Sequence, residues 1–172
     1  MNPELRNLIA LQDLELKIAG LQKQLSEIPD NNLRFENELK QVKSEFQQRE
    51  ARLKEMANER RTLEGQVDLL RAKLSRLKDQ LMAVKTNKEY TAMLHEIQMA
   101  EEQIRSEEDK ILEIMERLEG EEKNLKQAEQ EMIRRSAELQ ESIRKSNESL
   151  PRLESELAAL REERADMESR IG

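Results

Sequence analysis

The chain has 172 residues, of which 39% are charged and 2% aromatic, with no Cys, no Trp and a net charge of −7. So few aromatic and β-branched residues argue against a sheet-based fold, and 36% hydrophobic residues leave too little apolar volume for a thick globular core. The missing Cys exclude disulfides and thiolate zinc sites within this chain. Leu, Ala, Glu, Lys and Arg make up 99 of the 172 residues, above the roughly 50% that marks long helices and coiled coils. Disorder is the competing reading on composition alone, so periodicity has to decide.

The first twenty residues carry acids early and offer no small-residue cleavage site, so they do not read as a secretion signal. No run of 18 apolar residues occurs, which argues against membrane insertion. The expected compartment is the cytoplasm. From Leu11 a series of alternating three- and four-residue steps runs through Leu14, Ile18, Leu21, Leu25 and Ile28 to Leu74, Leu77, Leu81 and Val84. It is broken only by Asn32, Arg49 and Arg60. A 3.5-residue repeat sustained this long predicts a left-handed coiled coil and disfavours disorder. Within it, Ser26 to Asn32 contains Pro29, which removes an amide donor and clashes with the preceding turn. A helix break is expected there, with Asp30 or Asn31 as the new cap.

Residues 86–91 are the expected tip. Thr86 followed by Glu89 fits a capping box, and Asn87 tolerates the left-handed conformation that ends a helix. A second series then runs from Leu94 through Ile97, Glu101, Ile104, Glu108, Ile111, Met115, Leu118, Glu122, Leu125, Glu129 and Met132. It continues through Ser136, Leu139, Ile143, Ser146, Leu150, Leu153, Leu157, Leu160, Arg164 and Met167 to Ile171. Its core is more polar, so its middle should be the softer stretch. Pro151 should break this arm at nearly the height of Pro29.

One continuous helix is a competitor, because the step from Val84 to Leu94 harms neither series. Charge argues for a turn. Residues 39–88 hold thirteen Lys and Arg against seven acids, and residues 101–141 hold seven against fourteen. Folding near residue 87 lays the basic segment along the acidic one, and flanking charges of opposite sign set orientation in coiled coils. A parallel dimer would lay like on like. The prediction is an all-α antiparallel two-helix coiled-coil hairpin, kinked near Pro29 and Pro151. Arm one spans 4–85 and arm two 92–171, with base segments 4–28 and 151–171. Arg49 and Arg60, in the seam of arm one, reach the level of Glu122 and Glu129. A charge in a seam is costly unless paired, so these four are expected to set the register.

Catalytic chemistry is scarce. There is one His, His95, read as an exposed helix residue, and no nucleophile–base pair or phosphate loop. The chain is not expected to be an enzyme, and no cofactor or metal is expected in it. The Glu clusters read as solvated faces and partners of the basic arm. Met56, Met115, Met132 and Met167 are expected to fill the seam, while Met82, Met93 and Met99 gather near the tip. Arg71, Lys73, Arg76, Lys78 and Lys85, ending at Lys88, form the most basic patch. They are candidates for nucleic-acid phosphate contacts, with neutralisation by Glu101, Glu102 and Glu107 as the alternative.

The tip sequence Asn87-Lys88-Glu89-Tyr90, followed by Leu94, Glu96 and Ile97, resembles the tip of bacterial coiled-coil proteins that carry a C-terminal C4-type zinc ribbon and are described as nucleic-acid binding. The segment Leu8 to Leu16 is similar to the family's N-terminus. The resemblance implies a kinked hairpin followed by a four-Cys ribbon. It also implies a chaperone-like adaptor role with flagellar or type III secretion components or a sigma factor, and RNA as a further partner. The chain stops at Gly172, about where the ribbon should begin. Zinc is therefore expected only if a ribbon follows in the full protein. On this reading the chain is a non-enzymatic interaction module whose tip residues Asn87, Lys88, Glu89 and Tyr90 meet a protein partner. A structural spacer or oligomerising rod, and an RNA or DNA binder using the Arg71–Lys88 patch, are the alternatives.

Overall fold

The computed structural model describes residues 3–171, which form two helices, α1 (Pro3–Ala83) and α2 (Asn87–Ile171), joined by a three-residue turn. The helices fold back on each other as an antiparallel coiled-coil hairpin. Strong helix formers fill both arms, but long helices in water are held mainly by burial of an apolar stripe. On α1 that stripe is the predicted one. Every position of the first series from Leu11 to Val84 is buried or half-buried except Arg49.

On α2 the predicted stripe is only half right. Ile97, Ile104, Ile111, Leu118 and Leu125 face the seam as expected. Most of the alternate positions do not: Leu94 is 43% and Met115 45% exposed, Glu122 and Glu129 are exposed, and only Glu101 and Glu108 stay half-buried at the seam edge. Their N-terminal neighbours take the seam instead, namely Met93, Ala100, Glu107, Ile114 and Ala128. The four–three alternation buries Ala100 and Ile114 and brings one carboxylate, Glu107, into the seam, where the three–four alternation would bring in Glu101, Glu108, Glu122 and Glu129 and a thioether, and desolvation decides between them. Between Met132 and Leu153 neighbours share the burial, Arg135 with Ser136, Ser142 with Ile143, and Ser149 with Leu150. From Leu157 the seam runs in the predicted phase through Leu160, Arg164 and Met167. The side chain of Ile171, last in the predicted series, lies outside those described. The stripe thus slides by one residue along α2, as a four-residue insertion into a heptad pattern requires.

Neither proline ends its helix. Pro29 lies inside α1 and Pro151 inside α2, so the expected breaks near both prolines, and the new cap at Asp30 or Asn31, are absent. A proline inside a helix costs about 3 kcal/mol. Ile28 beside one proline and Leu153 beside the other are 9% and 6% exposed, and each buried side chain of that size contributes about 1.5–3 kcal/mol. Packing on both sides holds the helix through the fault. In each arm a nearby serine hydroxyl donates to a carbonyl three residues back, Ser26 to Lys23 at 2.8 Å and Ser149 to Ser146 at 2.7 Å.

The chain divides into two compact units, residues 1–44 with 131–172, and residues 45–130. The first is centred on Leu14, Ile18 and Leu157, against which Leu21, Leu25, Leu160 and Met167 pack. The second is centred on Leu77, Ile97 and Ala100, flanked by Leu74, Leu81 and Met93. No described side chain is buried between Ile28 and Val67, or between Leu118 and Leu139. In the second unit Ala51, Ala57, Leu118 and Leu125 line a groove of about 550 Å³ there.

Candidate functional site

Four polar contacts cross the hairpin in one register. Within the first unit Arg164 approaches Glu15 at 3.4 Å, and Asn32 Nδ2 donates to Asn147 Oδ1 at 2.9 Å. Within the second, Arg71 pairs with Glu108 at 2.5 Å and Lys78 with Glu101 at 3.2 Å. In each pair the two residue numbers add to 179. A fifth contact joins Arg135, at the shared seam position of α2, to Glu38.

The residues expected to set this register do not do so by pairing. Arg60 is half-buried and its ion pair runs along its own helix to Glu64 at 3.4 Å. Arg49 is exposed, with its stem lining a small gap beside Leu53, Glu121, Asn124 and Leu125. Neither meets Glu122 or Glu129 among the described residues, because the one-residue slide of the α2 stripe turns both carboxylates to solvent. Long cationic side chains also reach water easily from a seam edge.

A polar contact that does hold this register is Asn32, half-buried at its seam position, with Asn147, exposed at the seam edge. A polar residue in a coiled-coil seam fixes alignment at a cost in stability, because any other alignment leaves it unpaired. Replacing Asn147 alone by Leu is expected to cost about 1 kcal/mol, since Asn32 loses its partner. The double change Asn32→Leu/Asn147→Leu is expected to recover that loss or exceed it, while relaxing the register. Urea unfolding reads the stability. Disulfide yield between cysteines placed at Ile18 and Leu157, on this Cys-free background, reads the register and should fall in the double variant.

The basic patch is split by geometry. Seven-residue spacing puts Arg71 and Lys78 on one flank of α1, where both are matched by the acidic arm, while Lys85 lies beyond the end of α1 in the turn. Lys73 falls on the other flank and Arg76 on the outer face. Lys73, Arg76, Lys85 and Lys88 make no ion pair among the described residues. On α2, ion pairs along the helix dominate. Arg134 hydrogen-bonds Glu131 and holds its carboxyl below the usual range, and Arg144 does the same to Glu141.

The tip is a tight, capped turn. Thr86 is the N-cap of α2: its Oγ1 accepts the amide of Glu89 at 3.2 Å and its carbonyl accepts the amide of Tyr90 at 3.0 Å. Thr91 Oγ1 donates to the carbonyl of Asn87 at 2.9 Å. Asn87 is the first helical residue, and no described residue has a positive φ, so the left-handed role expected of it is not used. Asn87, Lys88, Glu89 and Tyr90 form the exposed first turn of α2. Beside them Tyr90 is 47%, Leu94 43% and Met82 88% exposed. Met93 instead packs into the seam, and Met99 is 56% exposed further along α2. Sequence reading missed Leu94 as a surface residue because it assigned it to the seam. Among the described residues no group of three or more His, Asp or Glu is placed to hold a metal ion. No described helix is long and apolar enough to cross a membrane.

Two long antiparallel helices with one capped turn define a coiled-coil hairpin protein. Residues 11–172 match the family described as the CT398-like coiled-coil hairpin domain, and the chain belongs to that family. It is similar to the structure of CT398 from Chlamydia trachomatis, with a TM-score of 0.69 and 21% identity, over 92% of this chain and 70% of that one. A coiled-coil segment of Smc from Pyrococcus yayanosii aligns over 98% of this chain and 82% of its own, at 22% identity and a TM-score of 0.36. No curated protein matches the chain.

Proposed function

We propose that this chain is a non-enzymatic, cytoplasmic adaptor hairpin that presents its tip to a protein partner. The observation that carries this reading is the exposure of Tyr90, Leu94 and Met82 around a turn locked by the Thr86 cap. Aromatic and Met side chains are enriched at protein interfaces, and a capped turn holds them with little ordering cost on binding. The zinc-ribbon resemblance of the tip sequence supports a chaperone-like role with a secretion or flagellar component or a sigma factor, and RNA as a second partner. Zinc would enter with a C-terminal ribbon and not through this chain.

The test is a quantitative pull-down with the native chain and a Lys88→Ala/Tyr90→Ala variant of equal helicity. The adaptor reading expects the variant to retain less than a fifth of the partner signal. Equal retention would favour a spacer or oligomerising rod. The phosphate-binding alternative has less support, because Arg71 and Lys78 are already matched by glutamates and the remaining cations point to different faces. It would require an affinity that falls steeply with salt.

A further inference from the structure

The cross-hairpin ion pairs form a ladder on one flank, and the ladder lacks its last rung. Arg71 meets Glu108, and seven residues on along each arm Lys78 meets Glu101. The same count carried one step further pairs Lys85 with Leu94, but α1 has ended at Ala83 and Lys85 lies in the turn just short of that rung. An apolar residue stands where the pattern calls for a carboxylate. Lys85 is exposed and without an ion pair among the described residues, and Leu94 is 43% exposed. A glutamate at 94 would have continued the ladder in a surface position with no packing to lose.

The apolar side chains near this gap lie on the same flank. Tyr90 precedes Leu94 by four residues, so both share one face of α2. Met82 follows Lys78 by four on α1 and stands next to the ladder. Lys85 thus lies in the turn between the exposed Met82 at the end of α1 and the exposed Tyr90 and Leu94 at the start of α2, a cation with no ion pair among the described residues.

We propose that this flank of the tip is a docking site for an acidic amphipathic segment of a partner protein. A carboxylate of the segment takes the place on Lys85 that Glu108 and Glu101 hold on Arg71 and Lys78, while its apolar face covers Met82, Tyr90 and Leu94. Charge complementarity selects the occupant, since only an acid completes the ladder. This rests on reading the tip as the binding end of the hairpin.

The test pans the full chain against a phage-displayed random 12-residue peptide library and remeasures the selected sequences as fluorescent peptides by anisotropy. Expected binders join Asp or Glu to apolar residues. Leu94→Glu supplies the missing rung from within and keeps the helix, so it should weaken them at least tenfold. Lys85→Glu should do the same, and Lys126→Glu, far from the tip, should change affinity less than twofold. Binders that need Tyr90 but carry no acidic bias and ignore Leu94→Glu would overturn this inference and leave the tip reading standing. Failure to select any binder, or binders indifferent to Tyr90→Ala, would overturn both. A 12-residue oligouridylate that binds at Lys85 where no acidic peptide does would overturn it in favour of nucleic acid.

Discussion

Truncating Ile18 to Ala is expected to cost roughly 2–4 kcal/mol, the usual range for removing a large aliphatic side chain from a packed site. Ile18 is 2% exposed and belongs to the cluster with Leu14 and Leu157. Its neighbours come from both arms and cannot all close the space left behind. Leu125→Ala is the informative contrast. Leu125 occupies an equivalent seam position, yet it is only half-buried and lines the open groove beside Ala57 and Leu118. There water already reaches the side chain and little cavity is created, so the loss should stay below about 1.5 kcal/mol. Urea denaturation followed by circular dichroism measures both. Equal losses at the two sites would show that the seam is uniformly packed and that the sparse burial from Leu118 to Leu139 has no energetic meaning.

The second large effect runs the other way. Replacing Pro29 by Ala is expected to stabilise the hairpin by roughly 2–3 kcal/mol. α1 passes through Pro29 without ending, so the ring stands against the carbonyl of Leu25 and that carbonyl has no amide partner four residues on. Pro29 is exposed, and Ala at this position loses no packing while restoring the hydrogen bond. Pro151→Ala should act in the same direction through the carbonyl of Asn147. The measurement is the midpoint of thermal or urea unfolding. A fall in stability would mean that the ring supports a bent backbone that Ala cannot adopt.

The first arm is legible from the sequence almost residue by residue, because its seam positions are Leu, Ile, Val, Phe or Met at all but Asn32, Arg49 and Arg60, which leaves one phase. The second arm is not. Leu94 and Met115 drew the pattern one residue too far toward the C-terminus, and the glutamates at 101, 108, 122 and 129 were accepted as a polar core. The correct phase uses Ala100 and Ala128, whose small side chains carry little hydrophobic signal beside Met and Leu. That phase places one glutamate, Glu107, in the seam where the other would place four, so desolvation favours the weaker-looking stripe. The turn was readable from Thr86 and Glu89, since a cap is a local device. The register contacts were only half readable. Asn32 announced itself by interrupting an apolar series. Asn147 did not, because its position opposite Asn32 depends on the slide of the α2 stripe. Arg135 was hidden beside Arg134, and only the fold shows which of the two reaches Glu38. A local rule for proline predicts breaks at both sites, and the packing of Ile28 and Leu153 near them carries the helices through instead.

The numbers of Pro29 and Pro151 add to 180, one more than the polar pairs that cross the hairpin. The two missing amides therefore lie at one height, like notches cut on opposite sides of a beam. A beam notched in this way is expected to bend first at that section, which places any bending of the hairpin at the level of the two prolines. The Asn32–Asn147 hydrogen bond lies one turn from that cross-section, so the section expected to yield first is also the one where a polar contact ties the two arms together.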